Sequence, residues 1–95
     1  MPPKPKPTVA RAVAAVDGDA AELVAWLGRQ SRDQNTALYW AACRALERGY
    51  GDQVLDRLAD TYIAISIPGH PKGPNTRRDA DRTIASARRR VSAHG

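Results

Sequence analysis

Residues 52–67 read Asp52-Gln53-Val54-Leu55-Asp56-Arg57-Leu58-Ala59-Asp60-Thr61-Tyr62-Ile63-Ala64-Ile65-Ser66-Ile67. How this stretch folds decides the class of the whole chain. At 100° per residue, Val54, Leu55, Leu58, Ala59, Tyr62 and Ile65 fall within about 140° of arc, the width of a core-facing helical stripe. The β-branched end, from Ile63 to Ile67, has the composition of a strand instead. One strand with no visible partner would leave its backbone donors and acceptors unpaired. The spacing therefore predicts a helix, capped by Asp52, and with it an all-α protein.

The segments on either side agree. Upstream, Ser31 to Gln34 has capping-box spacing. Leu38, Ala42, Ala45 and Leu46 form the apolar stripe that follows, with Tyr39 beside it. Gly49 and Gly51 end that helix, because they tolerate the left-handed backbone of helix ends. Before it, Asp19 and Glu22 have the same capping spacing. Ala20, Leu23, Val24 and Leu27 then share one face, with Trp26 at its edge and Gly28 at the end. Val9, Val13 and Val16 follow helical spacing in an Ala-rich segment, with Thr8 as cap and Gly18 as interruption. Downstream, residues 68–76 hold three Pro and two Gly and read as a loop. Thr76 and Asp79 then cap a last helix, whose stripe is Ala80, Ile84, Ala87 and Val91. The expected architecture is a small bundle of three to four helices over residues 9–95. A flexible, basic Pro/Lys arm over residues 1–8 precedes it.

Composition excludes several classes. The 95 residues hold fifteen Lys or Arg against ten Asp or Glu, a net charge of +5, and a single Cys. This length suits one domain with a modest core. One Cys rules out a disulfide within the chain, which fits a reducing cytoplasm. No apolar run approaches the ~20 residues of a membrane span. Arg11, Asp17 and Asp19 interrupt the apolar stretch that a secretory signal requires. The bias toward Arg (twelve) over Lys (three), with abundant Ala, suits a GC-rich bacterial genome or one of its phages.

Little in the sequence points to catalysis. His70 stands in the Pro/Gly loop and His94 beside the C-terminus, neither in a metal-spaced cluster. Cys43 falls mid-helix among Ala41, Ala42 and Ala45, where it serves as a small apolar residue. Phosphate-loop and nucleophile-elbow motifs are absent. The reading is a non-enzymatic protein with no cofactor and no metal.

The charge is concentrated. Residues 77–95 carry six Arg and two Asp, so most of the excess sits in the last helix. Nearly opposite its apolar stripe, Arg78, Arg82 and Arg89 lie within about 40° of one another. Arg77 and Arg88 flank the apolar face, and Arg90 lies between stripe and ridge. Docked through small apolar residues, this helix would present an arginine ridge outward, and guanidinium forks suit phosphates. Trp40 is the second anomaly, because on its own helix it points away from the Leu38/Leu46 stripe. Arg44, one turn on, is placed to stack over the indole. Either the preceding helix or the N-terminal segment covers Trp40, or it marks a partner surface or a stacking platform for a base.

Two segments together resemble a known family. The run from Arg32 through Asn35, Thr36, Ala37, Leu38 and Tyr39, then Ala41 and Ala42, to Gly49 resembles the start of the C-terminal helical domain of bacterial and phage primase-polymerases. Arg78-Asp79-Ala80-Asp81-Arg82-Thr83-Ile84-Ala85-Ser86-Ala87 resembles that domain's last helix. The likeness spans about residues 29–91. It implies an accessory helical bundle that supports primer initiation through template and nucleotide contacts. By position, Arg32 and Asn35 match the helix-opening motif, and Arg78 and Arg82 lie within the last-helix signature. Trp40 departs from the pattern, since the family usually has a polar or basic residue there. The catalytic domain's metal-binding acidic motifs have no counterpart in this sequence.

The expectation is a cytoplasmic, nucleic-acid-binding or replication-accessory protein of phage or prophage origin. It would contact phosphates through Arg77, Arg78, Arg82, Arg88, Arg89 and Arg90, with Trp40 and Arg44 stacking on a base or a partner. The alternative is a small phage protein that binds a host protein and inhibits or redirects it. Self-association through Trp40 and Ile63 is a third reading.

Overall fold

The computed structural model describes residues 8–67, 69–71 and 73–94. Among them it has five helices and no strand: α1 (Val9–Ala14), α2 (Gly18–Gly28), α3 (Gln34–Glu47), α4 (Asp52–Ala64) and α5 (Arg77–His94). The protein is an all-α bundle, as the stripes predict, with the short α1 added to the four longer helices. Residues 1–7, most of the expected basic arm, lie outside the described residues.

Residues 52–64 are helical, and Ile65 is the C-cap whose N–H donates to the Thr61 carbonyl at 3.0 Å. The β-branched end thus closes a helix. Leu55, Leu58, Ala59 and Tyr62 bury its inner face, and the Thr61 hydroxyl donates to the Arg57 carbonyl at 2.8 Å. That bond lets a polar side chain sit inside the bundle without an unpaired group.

Hydrogen bonds and ion pairs fix the directions of the helices. Gln34, at the start of α3, donates its side-chain amide to the Ile65 carbonyl at the end of α4, 2.9 Å away. The link of residues 48–51 joins the other ends, so α3 and α4 are antiparallel. Arg77 near the start of α5 meets Asp60 of α4 at 3.6 Å, and Arg88 meets Asp52 at 2.8 Å. Consequently α5 runs antiparallel to α4 and in the same sense as α3. Both α3 and α5 bury many small residues, with Ala41, Ala42, Ala45, Ala80 and Ala87 all fully buried. Helices lined by Ala approach closely, which suits a short chain with little bulk to fill a wide gap.

The helix ends differ in detail from the sequence reading. Thr8 accepts from Arg11 N–H at 3.1 Å and Thr76 from Asp79 N–H at 3.2 Å, as expected of caps. The other three caps shift. α2 begins at Gly18, with Asp17 at the cap position, so Asp19 and Glu22 lie inside the helix rather than forming its box. At α3 the cap position falls on Asp33, in left-handed backbone at φ 48°. Gln34 is drawn away to the Gln30 and Ile65 carbonyls, so it cannot reach back to Ser31. Gly51 caps α4, and Asp52 turns to Arg88 of α5 instead. The end of α3 is a Schellman motif: with Gly49 at φ 74°, Gly49 N–H donates to Leu46 O at 3.1 Å and Tyr50 N–H to Ala45 O at 2.9 Å.

Candidate nucleic-acid interface

α5 carries the largest concentration of positive charge, and its packing sorts that charge into two groups. Ala80, Thr83, Ile84 and Ala87 are buried against α3 and α4. The opposite side holds Arg78, Arg82 and Arg89, all exposed, and Arg90 is exposed as well. Arg89 donates to the Ser86 hydroxyl at 3.4 Å, a neutral and long contact. None of these four has a carboxylate partner among the described residues. Seven residues separate Arg82 from Arg89, about 10.5 Å of helix axis.

Arg77 and Arg88, expected to flank the apolar face and to assist the ridge, form the other group. Arg77 pairs with Asp56 and, at 3.0 Å, with Asp81, and lies 3.6 Å from Asp60. Its guanidinium is held above the ordinary arginine value, chiefly by the hydrogen bond from its side chain to Asp56. Partial burial opposes that shift, and Asp81 adds to it. Arg88 pairs with Asp52. Both sit on the α4 side of α5, where Asp52, Asp56 and Asp60 recur at helical spacing. These two arginines dock α5 onto α4, and a phosphate would have to displace aspartates to reach them.

A second cluster lies between α2 and α3. Trp40 is 45% exposed, and Trp26 of α2 covers one side of it, with ring centroids 4.8 Å apart and planes tilted by 47°. The Arg44 guanidinium stands over the Trp40 ring, 4.8 Å from its centroid. This is the cation–π stack expected from their spacing. The tryptophans and Arg44 line a groove of about 430 Å³ together with Arg29 and Arg48, and Asp19 and Glu22 line it as well. Sequence reasoning missed Trp26, Arg29 and Arg48 as members of this cluster. The wheel placed Trp26 at the edge of its stripe, but a wheel cannot say which helix that edge meets.

The two segments of the family resemblance also meet. The side-chain amide of Asn35 donates to the Thr83 hydroxyl at 2.7 Å, linking α3 to α5. Arg32, the other motif residue, is exposed beside a polar cavity of about 600 Å³ whose lining includes Asn35, Asn75 and His70. Within that region Asn75 donates to Gln34 and to the Tyr62 carbonyl, both at 2.8 Å, tying the 66–76 loop to α3 and α4. Among the described residues no group of three His, Cys, Asp or Glu is placed to hold a metal ion, and no helix is long and apolar enough to cross a membrane. No protein-family model, curated protein or solved structure matches the chain.

Proposed function

We propose that the protein binds nucleic acid without catalysing a reaction, as a cytoplasmic replication-accessory protein of phage or prophage origin. α5 lies along the phosphate backbone and holds it with Arg78, Arg82 and Arg89. The observation that carries this reading is the sorting of charge on α5. The arginines facing α4 are neutralised by aspartates, while those facing outward have no such partner among the described residues. An unneutralised row on a rigid helix suits a polyanion, because released counterions drive its binding. The Asn35–Thr83 bond supports treating the two segments that resemble the primase-polymerase accessory domain as one structural unit.

A salt titration tests the reading. Each phosphate neutralised contributes roughly −0.7 to the slope of log K against log salt for single strands, and roughly −0.9 for duplex. The Arg82→Ala/Arg89→Ala variant therefore loses about 1.4 to 1.8 from the slope and binds more weakly at low salt. Unchanged affinity and slope would sink the proposal. The second reading, capture of a host protein, draws on the half-exposed Trp40. It requires that a host protein stay bound after nuclease treatment.

A further inference from the structure

The groove between α2 and α3 combines features that the arginine ridge lacks. It offers a large aromatic surface at Trp40, backed by Trp26 and already covered by one guanidinium. Arg29, Arg44 and Arg48 stand at this groove with no carboxylate partner among the described residues. Asp19 and Glu22, near the start of α2, also line the groove, whereas Arg29 stands at the end of that helix. We infer that this groove is a base-stacking site, and that the nucleic acid bound is therefore single-stranded. The inference rests on the nucleic-acid reading above and specifies its substrate.

The physical argument concerns access and charge. In a duplex the faces of the bases are stacked on one another, and only unpaired bases offer a π-face to an aromatic side chain. A half-exposed indole carrying an arginine is a surface of that kind. On binding, the Arg44 guanidinium slides from the indole to a phosphate, and a base takes its place on the ring. Phosphates are drawn by Arg29, Arg44 and Arg48. Asp19 and Glu22 repel them from the first turns of α2, which directs the strand toward the arginines. A protein partner would need an apolar patch to bury, whereas Trp40 and Ile67 are the two large hydrophobic side chains that stand exposed among the described residues.

Intrinsic tryptophan fluorescence of the full chain, titrated with a DNA oligonucleotide and with a hairpin duplex of equal length, tests this directly. Expected are quenching of the indole emission by the single strand and at least tenfold tighter binding of it than of the hairpin. Trp40→Ala should weaken single-strand binding about tenfold or more while leaving hairpin binding unchanged, and Trp40→Phe should keep most of the affinity. Arg48→Ala, at an exposed position, guards against misfolding of the Trp40 variant, and should reduce the salt slope for the single strand by roughly 0.7. Single-strand binding with no quenching and no loss in Trp40→Ala would overturn the stacking site, while the ridge reading stood. Equal binding of hairpin and single strand would do the same. No salt-dependent binding of either ligand would overturn both readings, and a nuclease-resistant host partner lost in Trp40→Ala would then assign the groove to a protein.

Discussion

Thr83 shows how single side chains hold α3 and α5 in register. Thr83 is 7% exposed, and its hydroxyl accepts from Asn35. Replacing Asn35 with Ala leaves that hydroxyl buried without its partner, at a cost of about 1–2 kcal/mol. Thr83→Val removes the polar group along with the bond and costs less, so denaturant midpoints should fall in the order wild type, Thr83→Val, Asn35→Ala. Gly28 shows the opposite kind of constraint. A Cβ built there would run into the Val9 side chain, meeting Cγ1 and lying 3.2 Å from Cγ2. Valine is stiff at χ1 and cannot turn aside cheaply. Helix propensity favours Ala over Gly by about 1 kcal/mol, but overpacking costs about 1–3 kcal/mol. Gly28→Ala should therefore lower the melting temperature by a few degrees, and adding Val9→Ala should recover most of the loss.

At the scale of the element, α5 is held by two unlike forces. Its inner face docks through Ala80, Ile84 and Ala87, and its α4 side is pinned by Arg77 and Arg88. Exposed ion pairs contribute little singly, about 0.2–1 kcal/mol, because water screens them and ordering long side chains costs entropy. Arg77 differs in meeting three carboxylates, though its side chain is 47% exposed. Arg77→Ala should cost about 1 kcal/mol, and Arg88→Ala less, since Asp52 is 88% exposed. The Arg77 pKa is raised on folding, so its stabilisation is complete below the ordinary arginine value and lost only as pH rises through the raised one. Its contribution should hence be flat between about pH 6 and 9, which thermal melts of both proteins at each pH will show. Because Arg77 and Arg88 serve docking, their removal should affect the melt more than nucleic-acid affinity. Arg82 and Arg89 should show the reverse.

For the whole molecule the limiting quantity is core size. Leu27, Leu38, Leu58, Val24 and Thr61 are the largest fully buried side chains. A core of a few leucines packed among alanines has little to spare, and small domains are typically stable by only about 5–15 kcal/mol. Leu58→Ala removes a side chain that touches no water and should cost about 2–5 kcal/mol. Urea titration should place its midpoint far below that of wild type. Charge is the other property set at this scale. The fold divides the arginines into neutralised ones at the α4–α5 seam and ones without a carboxylate partner among the described residues, on the outer face of α5 and at the α2–α3 groove.

The sequence by itself determined the fold class and most of the core. Helical periodicity follows from local geometry, so the stripes of α4 and α5 were legible without any partner. The Trp40–Arg44 stack was legible for the same reason, since four residues is one turn. Two of the expected caps were not, because their polar groups had better partners far along the chain: Asp52 in Arg88, Gln34 in Ile65. The cap of α2 also moved, from Asp19 to Asp17. The wheel set Arg77 and Arg88 beside the apolar face, but it shows direction from one axis and nothing of the aspartates on the neighbouring helix. Tertiary structure decided which arginines meet aspartates and which have no carboxylate partner among the described residues, and it brought Trp26 to Trp40. Both outcomes depend on which helix faces are neighbours, a matter of packing between segments distant in sequence that no single periodicity encodes.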